Sequence, residues 1–578
     1  MKKRILYGSA DYEEVIAKNG YFVDKTRYIE KLEEIENPVF LRPRRFGKSL
    51  WCRILECYYS VHMKDRFDEL FGHTWIGRHP TPLKNAHIVL HLDFSVVGIG
   101  QDLDSVRRSF NNTCGIRIKR LFLRYPQYLK DSSRISEKND AFDNMEILLD
   151  ALRDDCPSLY VIIDEYDSFA NQLITSRKDH LYRQLTADDG FLKTFFKTLK
   201  EGRKTGAIGN IFITGVLPIT MDELASGFNI TRFITLVDRF EAMLGFTQSE
   251  VDHLLDDIYA DYELDPSTRP EISEILKVHY NGYHFISPQG EAIYNPTLIM
   301  YFLVEFCESG GRIPKFLTDL NLRTDLSWVQ RITSSYPGST EAFVDNLVTH
   351  NIIRYDSNYL SSKFDMRQFF DEGFFPISFY YLGMLTLQDE FYLKLPNLNM
   401  RQIFVEYFNE LHHIDVSTRY TEIMQAFVAE PNIENLFAGY WREYVSQLPE
   451  AIFQQMNENF YRTTFYELCS RYLSSWLAFT VENSYPQGKS DLEFIGKFHE
   501  KFAEMRWVIE FKYFSNAELS RMKTTIEAFT LREEDTGQIR GYAEDVRQQY
   551  PECRTFLHVI YCLGNQGFRV FEVAEQPY

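Results

Sequence analysis

The stretch "FLRPRRFGKSLW", Phe40–Trp51, decides how the first half of this chain is read. A phosphate-binding loop needs inward-pointing backbone N–H groups, a helix N-terminus, a lysine for the phosphates and a hydroxyl for magnesium. Gly47, Lys48 and Ser49 supply the last three positions of that pattern. Gly47 lets the backbone approach closely, Lys48 reaches the β- and γ-phosphates, and Ser49 is a candidate Mg²⁺ ligand. The run follows the strand-like "PVFLR" and precedes the helical "SLWCRILECYY", which is the required context. The loop pattern also asks for a glycine five positions before Gly47. Arg42 stands there, followed by Pro43, which fixes φ, and by Arg44 and Arg45, which add charge at the mouth. A basic turn before an ordinary helix remains open on these residues alone.

Working outward, "LYVIIDEYD" (159–167) is a continuous apolar strand ending in two carboxylates. In open α/β sheets, ligands bind at the carboxyl ends of the strands. Asp164 is the candidate Mg²⁺ ligand there, and Glu165 the group that polarises the attacking water. A third strand, "NIFITG", ends in Thr214, a candidate γ-phosphate sensor. With "HIVLHLDFS" (87–95), these runs alternate with helical patterns, so a parallel sheet covered on both faces is expected over 1–245. Residues 246–330 read as a helical lid; Thr247 and Glu250 have capping-box spacing. Residues 331–449 read as a mainly helical connection around a hairpin at 384–397, and 450–578 as a small α/β domain.

The composition limits what this architecture does. A chain of 578 residues exceeds a single core, so three or so domains are expected. Aromatics at 15% argue against disorder. No apolar run approaches a membrane span, and the basic start "MKKRILYGSADYEEV" lacks an apolar stretch, so neither membrane partner nor signal peptide is expected. The eight cysteines form no CxxC pair, which fits reduced thiols and a cytoplasmic location. A net charge of −19 excludes a protein that coats nucleic acid over its whole surface, but not a local basic groove.

A second constellation lies in "GKSDLEFIGKFHEKFAEMRWVIEFKYF" (488–514). Asp491 begins one strand, and Glu510 and Lys512 flank Phe511 on the next. Side chains alternate along a strand, so Glu510 and Lys512 share a face while Phe511 packs inward. Acid, then acid-x-lysine on adjacent strands, suits metal-dependent phosphodiester hydrolysis. The carboxylates hold Mg²⁺, which lowers the pKa of bound water, and Lys512 positions the nucleophile. The flanking Val508, Ile509 and Phe514 make the strand largely buried, where a Glu and a Lys need each other or a metal.

Two family resemblances rest on these residues. "YFVDKTRYIEKL" (21–32), "FLRPRRFGKSL" (40–50), "VIIDEYD" (161–167), "ITGVLPIT" (213–220) and "GFNITRF" (227–233) resemble the AAA-ATPase-like family, related to archaeal and STAND-type P-loop ATPases. That family often carries an Arg-Arg pair before Gly-Lys and often lacks the first glycine, so Arg42 fits it. The resemblance implies ATP binding by Arg45, Gly47, Lys48, Ser49, Asp164 and Thr214, nucleotide contacts near Tyr21, Asp24 and Lys25, and an activating arginine at Arg232 or Arg239. "HYNGYHF" (279–285) resembles the family's lid, with no chemistry that its residues declare. "FTVENSYPQGKSDLEF" (479–494), "WVIEFKYF" (507–514) and "GQIRGYAEDV" (537–546), with Gln538 and Tyr542, resemble the PD-(D/E)XK nuclease superfamily, whose fold is restriction-endonuclease-like. It implies a further metal ligand on the first helix, with Glu467 the candidate and Glu482 the second.

The expectation is therefore an α/β protein with a P-loop NTPase sheet, a helical lid and connection, and a C-terminal nuclease-like domain. Its cofactors are ATP and Mg²⁺, and its partner is nucleic acid, DNA ahead of RNA, with a homo-oligomer open. Two alternatives stand: a nucleotide-dependent switch or scaffold that docks nucleic acid or protein without cleaving, and a degenerate loop that binds no nucleotide.

Overall fold

The computed structural model describes residues 2–129, 131–136, 139–152, 156–185, 190–218, 228–317, 337–360, 366–369, 371–416 and 420–574. The expected boundary at 330/331 lies outside them, as do the end of "ITGVLPIT" and Gly227.

Five parallel strands form the first sheet: β1 (Pro38–Leu41), β2 (Ile88–Asp93), β3 (Leu159–Asp164), β4 (Ile208–Gly215) and β5 (Arg232–Phe233), in the order β2-β3-β4-β1-β5. β1 and β3 are buried at every position, which explains their continuous apolar runs. β4 lies between β1 and β3, so the phosphate loop and the Asp-Glu pair emerge on the same edge, one strand apart. Helix α1 (Lys48–Tyr59) leaves the loop with Gly47 as its N-cap at φ 87°, a left-handed conformation that favours glycine.

The lid contains α2 (Gln248–Tyr262), α3 (Arg269–Tyr280) and α4 (Pro296–Glu308). The capping box between Thr247 and Glu250 opens α2 as expected. The hairpin at 384–397 forms too, from β7 (Thr386–Leu387) and β8 (Tyr392–Lys394), but a third strand, β6 (Ile352–Arg354), joins β8 on its other side. No alternation long enough to mark a strand exists in β6, whose three residues are all partly or fully exposed.

The main elements of the last region are α5 (Glu458–Leu473), β9 (Leu477–Tyr485), β10 (Gly488–Gly496), β11 (Met505–Phe514), α6 (Glu533–Gln549), β12 (Arg554–Leu563) and β13 (Gly567–Val573), with short helices at Glu450–Phe453 and Asn516–Met522. These strands form a mixed sheet, β13-β12-β11-β10-β9, with β11 and β12 parallel. α5 stops at Leu473, where its helical pattern gives way to 477–485, which pair with β10. β-branched and aromatic residues in "LAFTVENSY" outweigh the helical pattern there. α3 packs on β9, so the lid touches the C-terminal sheet directly.

Candidate functional sites

The phosphate loop is occupied by its own side chains. Lys48 is buried, and its Nζ donates to the Pro43 carbonyl at 2.9 Å. Burial lowers its pKa, with Glu165 and Asp164 opposing that shift. Arg42 points away from the loop mouth into the interior. Its guanidinium donates to the carbonyls of Leu41 (3.0 Å), Thr235 (3.1 Å) and Glu241 (3.3 Å) and lies over the rings of Phe40 and Phe285. Burial lowers it to about 10, still charged at neutral pH. The residue in the first-glycine position is thus an internal strut between β1 and the lid.

Across the strand edge, the Ser49 side chain interacts with the Asp164 carboxylate, which burial raises above its ordinary pKa. Asp164 Oδ1 is buried without a hydrogen-bond partner. An orphaned, desolvated carboxylate oxygen beside a serine hydroxyl fits a divalent cation. Glu165 follows at φ 48°, strained for a non-glycine residue. Glu165, Lys48, Gly47 and Arg45 face a cavity of about 250 Å³, lined also by Tyr21 and Phe22 of the N-terminal segment and by Met243 just before the lid. Tyr21 donates to Asp261 (2.6 Å) and Lys25 to Glu250 (2.5 Å), both on α2, so the segment and the lid form one wall. Asp24 instead accepts from Trp75 N and Thr26.

Three expected residues do not join this site. The Thr214 hydroxyl is buried and donates to the Phe40 carbonyl at 2.7 Å, so it belongs to the sheet and not to a phosphate. Arg232 is exposed opposite Pro38, at the end of β1 away from the loop. Arg239 pairs with Glu34 at the surface. Asp167, which the sequence left without a role, accepts from Val216 N and Leu217 N and ties the Asp-Glu turn to the end of β4.

The C-terminal sheet builds the second site. The β10–β11 register, with Leu492 opposite Ile509, sets Asp491 opposite Glu510 when extended by one residue. Asp491 accepts from Arg462 (2.7 Å) and from Phe511 N (2.8 Å). Glu510 Oε1 accepts from Lys512 (2.8 Å) and Gln538 (2.7 Å), and Tyr542 completes the chain by accepting from Gln538 at 2.7 Å. Glu510 Oε2 is buried without a hydrogen-bond partner. Burial and the Asp491 charge push the Glu510 carboxyl up to about 8, against the pull of Lys512. Burial works against the charge of Lys512, yet Glu510 holds it above its ordinary value. Two acids forced together, one with an orphaned oxygen, fit a divalent cation.

Glu467, the expected acid on α5, pairs elsewhere. That side chain is fully buried and pairs with Arg471. Glu458, nine residues earlier on α5, lies in the field of Asp491, Lys512 and Arg462, and burial with Asp491 raises it to about 7. Glu482 stands beside the site on β9, held by Arg462 (2.7 Å) and Arg401 (3.4 Å). Burial opposes its ionisation, but Arg401, Arg462 and Lys489 pull it down to about 2. Lys394 of the hairpin lies in the field of Arg401, Glu482 and Lys489. A basic rim thus borders the acidic centre, and two of its members, Lys394 and Arg401, come from the connecting region. Their only sequence signal was the hairpin that carries Lys394.

Comparison with known proteins matches the two domains that hold these sites. Residues 6–225 match the family model described as "Predicted AAA-ATPase", and residues 456–572 match that of the PD-(D/E)XK nuclease superfamily. The "Uncharacterized protein in vnfD 5'region" of Azotobacter chroococcum mcd 1 is 29% identical over 317 residues, 52% of this chain and 52% of that protein. The chain thus spans about half the length of the curated relative it matches. From loop to last strand, then, the chain carries an AAA-ATPase-like domain in its first half and a PD-(D/E)XK nuclease superfamily domain at its C-terminal end.

Proposed function

We propose that the protein is a Mg²⁺-dependent nuclease under ATP control, with DNA as its substrate. Its parts would be an ATPase domain (1–245), a lid (246–330), a connection (331–449) and a nuclease domain (450–578). The observation that carries the reading is the convergence of Asp491, Glu510 and Glu458 around a buried, unpartnered Glu510 oxygen, next to Lys512. Asp491, Glu510 and Glu458 would hold Mg²⁺, which supplies an activated water and stabilises charge on the scissile phosphate. Lys512, kept protonated by Glu510, orients that water, and Gln538 fixes Lys512 from behind (3.2 Å). Arg401, Lys394 and Lys489 supply positive charge for a phosphate backbone despite the overall charge of −19. In the first domain, Lys48 would leave Pro43 for the phosphates, Ser49 and Asp164 would hold Mg²⁺, and Glu165 would orient the attacking water.

Nucleotide control is supported by the route between the two sites. Phe46 of the loop packs edge-on against Tyr283 and Phe285, and Arg42 lies over Phe285. These rings belong to "HYNGYHF". The other end of that segment, His279, hydrogen-bonds the Phe479 carbonyl on β9 at 3.1 Å and Asn399 at 3.2 Å. Between them Gly282, at φ 94°, lets the chain pass Pro396, where a Cβ would stand 2.0 Å from a carbonyl oxygen. Contacts therefore run from the loop to the strand that carries Glu482. The test is cleavage of double-stranded DNA, single-stranded DNA and RNA by purified protein with Mg²⁺ or Mn²⁺, against Glu510→Gln. Cleavage of DNA by wild type alone supports the reading; metal binding without cleavage of any substrate defeats it and leaves a docking role.

A further inference from the structure

We infer that Cys52, His91 and Asp164 form a site for a thiophilic transition-metal ion, zinc in chemical class, behind the phosphate loop. One donor atom of each side chain lies within 4.8 Å of the other two. The three come from different elements: Cys52 from the second turn of α1, His91 from β2 and Asp164 from the end of β3. Two of the three side chains carry an orphaned atom. Asp164 Oδ1 and His91 Nε2 are buried without hydrogen-bond partners, and Asp164 is only 2% exposed.

The surroundings favour His91 as a ligand. Its Nδ1 lies 2.9 Å from Glu56 Oε2, so Nδ1 carries the proton and Nε2 presents a lone pair. Glu56 in turn is held by Arg53 and Arg124. A carboxylate behind a histidine is the usual outer support of a metal-bound imidazole. The donor set also selects the ion. Mg²⁺ takes oxygen ligands, whereas thiolate with imidazole and carboxylate suits Zn²⁺ or Co²⁺. Tetrahedral bonds of roughly 2.0–2.3 Å set ligand atoms about 3.3–3.8 Å apart, so closure needs side-chain movement of about an ångström. On binding, the Cys52 S–H bond breaks, its proton passes to water, and the sulfur lone pair forms the metal bond. Three protein ligands would leave a fourth position, and His91 and Asp164 line a cavity of about 580 Å³ together with Ser49, Asp93 and Arg120.

The site stands without the nucleotide reading, but one consequence rests on it. Asp164 cannot serve a zinc-class ion and the Mg²⁺ of ATP together, so the first should inhibit ATP hydrolysis by removing a ligand of the second.

The experiment is Co²⁺ titration of the metal-free, nucleotide-free full chain, read by absorption. The expected result is a thiolate-to-cobalt charge-transfer band with tetrahedral d–d bands at one equivalent. Cys52→Ser should remove the charge-transfer band, and His91→Gln should weaken binding at least tenfold. Asp491→Asn, in the other domain, should keep the whole spectrum. A wild-type spectrum without the charge-transfer band overturns the proposal whether or not the variants fold, as does a band that survives Cys52→Ser. Zn²⁺ competition with ATP hydrolysis is read separately, and its absence with the cobalt spectrum intact would count against the nucleotide reading and not the site.

Discussion

Each site sets a lysine among carboxylates that burial raises, but the two lysines are tuned in opposite directions. Lys48 is buried without a direct carboxylate partner, is lowered by desolvation and donates to a carbonyl of its own loop. Lys512 sits 2.8 Å from Glu510 and is held charged. The first site is therefore short of an anion and closed on itself. The second is short of a cation: its acids crowd one another, and one retains a proton near neutrality. A phosphate would open the first, and a metal ion would relax the second.

The largest expected effect breaks the cation side. Glu510→Gln removes a ligand and the group that keeps Lys512 charged, so metal-dependent cleavage should fall by about 10³-fold or more, measured as initial rates on plasmid DNA. On the anion side, Lys48→Ala should weaken ATP binding by about 100-fold in calorimetry, the loss of a charged hydrogen bond in a dry site. Equal affinity in the variant would mean that the loop does not hold phosphate.

The pH dependence sharpens the contrast. The Glu510 carboxyl has an ordinary value of 4.5 and a folded value of about 8. Between these, the native state holds a proton that the unfolded state has lost, so stability falls as pH rises. In chelator, the urea midpoint should decline from pH 5 to 8, less steeply in Glu510→Gln. Mg²⁺ affinity should rise over the same interval, because the ligand must shed its proton. A flat midpoint in wild type would contradict the crowded-acid description.

Two substitutions separate neighbours on α5. Glu458→Gln should weaken metal binding and cleavage by about tenfold, while Glu467→Gln should leave both and cost about 1–2 kcal/mol of stability through Arg471. Smallest in function is Arg42→Gly, which restores the textual loop pattern. It removes three hydrogen bonds and two ring contacts, so it should destabilise by about 3 kcal/mol without improving ATP affinity.

These contrasts also mark what sequence reading can reach. The loop, the Asp-Glu strand end, the Thr247–Glu250 cap and the Asp491, Glu510, Lys512 set were all visible, because each is a local pattern of spacing and strand alternation. Arg42 could be seen as a departure, but its direction depends on Phe285 and Glu241, some two hundred residues away. Thr214 ends its strand as expected, yet its neighbour β1 takes its hydroxyl. Glu467 and Glu458 lie nine residues apart, about two and a half helical turns, so they face opposite sides. The start of α5, not its composition, decides which one meets β10. Arg401 and Lys394 escaped because tertiary packing alone brings the connecting region to the nuclease sheet.

The most direct test of ATP control is the Mg²⁺-dependent DNA cleavage rate of wild type and Lys48→Ala, each with and without ATP. The account predicts a rate in wild type that changes severalfold with ATP and a rate in Lys48→Ala that does not respond. An ATP effect of equal size in both, or none in wild type with ATP shown to be bound, would contradict it.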